Sequence, residues 1–77
     1  MSKTTTQAPT RMQARILAFV ARELRRHGAA PTRKEIGEHL GIAAPTVQEH
    51  IERMKRKRLL VVRPRQHRGL VLRWPAP

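Results

Sequence analysis

Between Pro31 and Lys57 the helix start and stop signals lie so close together that two short helices must follow one another with almost no loop between them. Thr32, with Glu35 three residues on, is a capping box: the hydroxyl takes one free backbone N–H and the carboxylate takes another. Ile36 and Leu40 fall on one face behind it, and Gly41 supplies the left-handed conformation that closes a helix. The turn Ile42-Ala43-Ala44 leads to Pro45, which is tolerated at a first helical position because its missing N–H would be unpaired there anyway. A third helix then places Val47, Ile51 and Met54 inward and runs out near Lys57. Isolated helices below about 12–15 residues are marginal in water, so this pair must pack on each other and on something else.

The something else lies on both sides. Upstream, Thr10 with Gln13 is another capping pair, and Ile16, Leu17, Phe19, Val20 and Leu24 form an apolar stripe that ends at Gly28. A helix is expected over Arg11–His27. Downstream the period changes to two in Leu59–Arg63 and Leu70–Trp74, separated by the turn-forming stretch Pro64–Gly69, which reads as a β-hairpin. The expected fold is mainly α with a small β-hairpin, a three-helix winged helix-turn-helix over residues 10–74. Residues 1–9 (MSKTTTQAP) are expected to be a polar arm, and residues 75–77 (PAP) a tail or the start of a linker.

Seventeen Lys and Arg against five acids give a formal net charge of +12 over 77 residues. Such an imbalance repels itself and points to a polyanion: DNA, RNA or an anionic membrane surface. No apolar run approaches the ~20 residues of a spanning helix, and the polar N-terminus is unlike a secretory signal. With no cysteine, the expectation is a cytoplasmic protein, nucleoid-associated, with no disulfide and no thiolate metal site. His27, His39, His50 and His67 lack the spacing of a zinc site, and His50, at the edge of the third helix's buried face, is expected to be packed and hydrogen-bonded. Ser2 is the sole serine, and there is no phosphate-cradling glycine loop, so neither an enzyme, a cofactor nor a small-molecule ligand is expected. Phe19 and Trp74 are too few to stack single strands, and Phe19 is expected in the core.

In a helix-turn-helix the second helix of the pair enters the major groove with its N-terminal turn against base edges. Here that turn offers Pro45, Thr46, Gln48 and Glu49. Gln can pair with adenine, Glu can accept from the cytosine amino group, and the Thr methyl can meet a thymine methyl. Glu49 and Glu52 facing a phosphate duplex would be a liability unless one of them reads a base. Backbone contacts need charge density more than geometry. Arg53, Lys55, Arg56 and Lys57 supply it on the third helix, Arg63 on the hairpin, and Arg33 and Lys34 at an N-terminus whose N–H groups also favour anions. No acid interrupts Lys55 to Arg73. The wing tip Arg65, Gln66, His67 and Arg68 completes the basic surface, with Arg68 suited to a narrow minor groove.

Three stretches together resemble a known family. Gly28-Ala-Ala-Pro-Thr-Arg-Lys-Glu-Ile-Gly-Glu-His-Leu-Gly41, then Thr46-Val47 with His50-Ile51, then Arg68-Gly69-Leu70, look like the DNA-binding domain of LexA-type SOS repressors. The resemblance covers about Thr10 to Leu72. It implies a winged helix-turn-helix that binds a palindromic operator as a homodimer, with base contacts from Pro45, Thr46, Gln48 and Glu49 and a backbone contact from Arg56. The family's self-cleaving peptidase half has no counterpart in this sequence, so no catalytic role carries over. Arg58 stands where the family usually has Gly, and Ala44 where it usually has a capping Ser, a loss of about 1 kcal/mol.

The expected function is therefore a sequence-specific, double-stranded-DNA-binding transcriptional regulator. A small RNA-binding or ribosome-associated protein fits the size and charge, but not the acids on the reading helix. A winged-helix protein-interaction module also fits, because fold does not fix function. Binding to duplex DNA against structured RNA at equal salt separates the first two, and charge reversal at Arg65 and Arg68 separates the third.

Overall fold

A computed structural model describes residues 8–65 and 68–73. The helices are α1 (Arg11–His27), α2 (Arg33–Leu40) and α3 (Ala44–Arg56), followed by strands β1 (Leu60–Val62) and β2 (Leu70–Leu72). This is the expected mainly helical winged helix-turn-helix. No helix among the described residues is long and apolar enough to cross a membrane.

Both capping boxes form. Thr10 Oγ1 accepts from the Gln13 N–H at 3.2 Å while Gln13 Oε1 accepts from the Thr10 N–H at 3.0 Å. Thr32 and Glu35 do the same at 3.1 and 2.9 Å. Gly28 (φ 71°) and Gly41 (φ 74°) close α1 and α2 in the left-handed region. The start of α3 differs by one residue from expectation: Ala43 is the N-cap, it makes no side-chain cap bond, and Pro45 sits in the second helical position. The weak start is offset by packing, since Val47, Ile51 and Met54 are fully buried.

The turn between α2 and α3 rests on Gly37. Its carbonyl accepts the N–H groups of both Gly41 (2.8 Å) and Ile42 (3.0 Å). A Cβ built there would lie 2.5 Å from the Ile42 carbonyl oxygen, so the two helices close on each other at a place with no room for a side chain.

The end of α3 explains how the chain turns into the hairpin without the family's usual glycine. The Arg58 N–H donates to Lys55 O at 3.0 Å and the Leu59 N–H to Met54 O at 2.9 Å. This is a Schellman closure, and it requires the left-handed conformation that Arg58 adopts at φ 61°. Leu59 and Met54, the apolar pair that accompanies such a closure, are both buried.

Leu60, Val61 and Val62 pair antiparallel with Leu72, Val71 and Leu70. The regular strands are shorter than the two apolar runs: Leu59 and Arg63 fall outside β1 and Arg73 outside β2. Single bonds from Arg73 N to Leu59 O and from Arg63 N to Gly69 O, each 2.8 Å, extend the ladder at both ends. The core gathers Ile16, Leu17 and Val20 of α1, Ile36 of α2, Val47, Ile51 and Met54 of α3, and Leu59, Leu60 and Leu70 of the hairpin. Phe19 belongs to this core at its edge, where the His39 ring stacks on it at 4.0 Å with a 10° tilt.

Candidate nucleic-acid interface

With its apolar residues turned inward, α3 presents its other side to solvent. Pro45, Glu49, Arg53, Lys55 and Arg56 are exposed, and Thr46 and Gln48 are half-buried. The four base-reading candidates thus share the first turns of one exposed helix face. Lys34, Arg63 and Arg65 are also exposed. Gln66 and His67 lie outside the described residues.

Gln48 is held from both ends of its amide. Arg33 Nε donates to Gln48 Oε1 at 2.9 Å, and Gln48 Nε2 donates to Glu52 Oε2 at 2.7 Å. Lys55 Nζ stands 3.4 Å from both Glu52 oxygens. A chain of four side chains therefore runs from the start of α2 along α3. It gives Glu52 a structural reason to face a basic surface, and it occupies Arg33 with positioning Gln48. Glu49 stands outside this network, exposed, with no hydrogen-bond partner among the described residues.

Two cations assigned to phosphate by their positions in the sequence are paired within the domain. Lys57 Nζ donates to Gln13 Oε1 at 2.9 Å and to the Ala8 carbonyl at 3.1 Å, tying the end of α3 to the start of α1. Gln13 is only 2 % exposed, so its amide oxygen is a buried acceptor that needs such a partner. Arg68, expected to reach a minor groove, instead grips the body of the domain. Its guanidinium donates to both Glu35 oxygens at 2.7 and 3.0 Å and to the Ala30 carbonyl at 3.0 Å. A planar fork on a carboxylate is a geometrically specific pair, and it docks the far end of the hairpin on the start of α2. The Arg68 fork, together with the Thr32 N–H, holds the Glu35 carboxyl down at about 2, and Glu35 in turn raises Arg68.

Glu35 also alters the expectation that the start of α2 binds an external anion, because its own carboxylate already fills part of that position. At the hairpin turn, Arg65 (φ 63°) remains exposed. His50 corrects a further expectation: its Nδ1 is buried but has no hydrogen-bond partner among the described residues. Neither the Lys57–Gln13 nor the Arg68–Glu35 pair could be read from local sequence, since the partners are separated by 44 and 33 residues.

The arrangement is a helix whose start carries Thr46 and Gln48 half-buried and Glu49 exposed, flanked by outward cations at its end and on the hairpin. Comparison with known proteins agrees with it. Residues 6–69 match the LexA DNA binding domain family. The LexA repressor of Pseudomonas aeruginosa (strain LESB58) is 40% identical over 65 residues, covering 83% of this chain and 32% of the repressor. The LexA repressor of Geotalea uraniireducens (strain Rf4) is 39% identical over 64 residues, 82% of this chain and 32% of that protein. LexA repressor 1 of Pseudomonas putida KT2440 is 40% identical over 62 residues, with shares of 79% and 31%. The chain thus spans about a third of the length of the repressors it matches. The close helix pair, the Arg68–Gly69–Leu70 step and a match over most of the chain lead to one conclusion: this chain belongs to the LexA DNA-binding-domain family.

Proposed function

We propose that residues 10–74 form a sequence-specific duplex-DNA-binding module that represses transcription, without catalytic activity, in the cytoplasm at the nucleoid. The observation that supports this best is the start of α3, where Glu49 is exposed with Thr46 and Gln48 half-buried at its sides, beside the exposed cations Arg53, Lys55 and Arg56. The α3 helix lies in the major groove with Pro45, Thr46, Gln48 and Glu49 at base edges. Arg53, Lys55, Arg56, Lys34, Arg63 and Arg65 face phosphates. A single winged domain makes few contacts, so specific occupancy is reached by two copies on a palindromic site.

Within the reading turn the two strongest candidates differ in freedom. Gln48 must release Arg33 or Glu52 before its amide can pair bidentately with adenine, whereas Glu49 is unengaged. Glu49→Ala therefore erases more sequence preference than Gln48→Ala, and a lost bidentate contact is worth about 1–3 kcal/mol at its base pair. The test is equilibrium binding of the chain and both variants to a duplex pool and to an RNA hairpin at equal ionic strength. Preference for the duplex, with discrimination weakened by Glu49→Ala, supports the proposal. Tighter binding to the hairpin, or a Glu49→Ala variant that gains affinity with unchanged preference, rejects it.

A further inference from the structure

A second charged surface lies on α1, on the side opposite its buried residues. Arg11, Arg15, Ala18, Arg22 and Arg25 follow at steps of four and three residues and so form one line along the helix. At 1.5 Å per residue the line is about 21 Å long. Beside it, α1 and the end of α2 enclose a groove of about 320 Å³. Its floor is the Phe19–His39 stack with Leu40, and its rim is Arg15, Arg22 and Arg25. Among the described residues none of α3 or the hairpin lines it, which sets it apart from the surface proposed to meet DNA.

Two of these cations are not engaged by the fold. Arg15 and Arg25 make no ion pair or side-chain hydrogen bond among the described residues. Arg22 lies over the Phe19 ring, 5.3 Å from its centre, and pairs with Glu23 Oε2 at 3.7 Å, its Nε donating no hydrogen bond among the described residues. Lining up like charges on one helix face is destabilising in isolation, and none of these arginines belongs to α3 or the hairpin.

We propose that this groove docks an acidic segment of a partner protein, with one bulky apolar side chain set against Leu40 and the His39 ring that covers Phe19, and flanking carboxylates on Arg15, Arg22 and Arg25. The apolar floor selects a peptide over a second duplex, since a sugar-phosphate backbone brings nothing apolar to fill a recess. All basic residues of α1 other than His27 are arginines, and guanidinium forks pair with carboxylates bidentately where an ammonium cannot.

The experiment uses the full chain and two short fluorescein-labelled peptides of equal charge, one alternating Glu with Leu and Phe, the other with Ser in the apolar positions. Anisotropy is measured at physiological salt, alone and with saturating duplex DNA. The Leu/Phe peptide binds tighter than the Ser peptide and is not displaced by duplex. Replacing Arg15 and Arg22 by Gln, or Arg15 and Arg25 by Gln, weakens it about tenfold, as expected for two exposed ion pairs. The Arg15/Arg25 variant retains the wild-type melting curve, and both double variants bind duplex within about threefold of wild type, since among the described residues no residue of α3 or the hairpin lines the groove. Equal binding of both peptides, their displacement by duplex, absence of peptide binding, or unchanged peptide affinity in both double variants overturns the proposal. Bridging of two duplexes that the variants abolish would assign the groove to nucleic acid and also overturn it.

Discussion

Replacing Lys57 by Met separates a cation that supports the fold from one that touches phosphate. The Nζ gives a 2.9 Å bond to the nearly inaccessible Gln13 oxygen and a 3.1 Å bond to the exposed Ala8 carbonyl. A hydrogen bond involving a charged group contributes about 1.5–3 kcal/mol. The Ala8 end is open to water and contributes little, and Gln13 Oε1 keeps the Thr10 N–H at 3.0 Å. Because Lys57 is itself half-exposed, the loss is expected near the lower end, about 1–2 kcal/mol. For a domain of this size that lowers Tm by about 4–16 °C, readable by circular dichroism. A neutralised phosphate contact would instead reduce the slope of log affinity against log salt by about 0.9. Lys57→Met should melt earlier with an unchanged slope, whereas Arg56→Ala should lose about one unit of slope with little change in melting. Unchanged melting with a reduced slope for Lys57→Met would refute the pairing within the domain.

Further predictions concern the hairpin and the turns. Glu35 falls from an ordinary 4.5 to about 2 in the folded chain, so its contribution to stability is present above pH 4.5 and is lost as pH falls from there toward 2. Acid titration of the melting temperature should show this loss, and Glu35→Gln should flatten it; an identical acid profile would contradict the Arg68 clamp. Arg58→Gly relieves a left-handed residue that costs roughly 1–2 kcal/mol, less about 0.4–1 kcal/mol of added unfolded-state entropy. A net gain of about 0.5–1 kcal/mol is expected in denaturant titration, and a lower midpoint would argue against the closure at α3. Gly37→Val places a branched side chain where even a Cβ lies 2.5 Å from a backbone oxygen. The expected cost is about 1–3 kcal/mol together with weaker DNA binding, because the angle between α2 and α3 must open; wild-type stability would contradict the close approach.

The elements were legible because their punctuation is local. Thr10, Thr32, Gly28 and Gly41 mark helix ends within three or four residues of the groups they satisfy, and α1 and α2 begin and end where those signals put them. The apolar steps Val47, Ile51 and Met54 likewise gave the buried side of α3. The start of α3 was less legible because Ala43 offers no capping side chain, leaving Pro45 as the sole marker. Strand ends were overread, since apolar residues continue past the regular pairing into single ladder bonds. Which cations face outward was the least legible, because a lysine that binds a buried amide and one that waits for a phosphate look alike in sequence. Lys57, Arg68 and Arg33 each find a partner brought near only by the fold.

The central claim is that the first turn of α3 reads base pairs in duplex DNA. Selection from a random duplex pool at physiological salt, run in parallel with wild type and Glu49→Ala, tests it most directly. The account predicts that wild type enriches a defined motif, arranged as an inverted repeat if two copies bind together, and that Glu49→Ala relaxes it at one base pair of each half-site. Absence of enrichment, with binding that vanishes as salt rises, would contradict it.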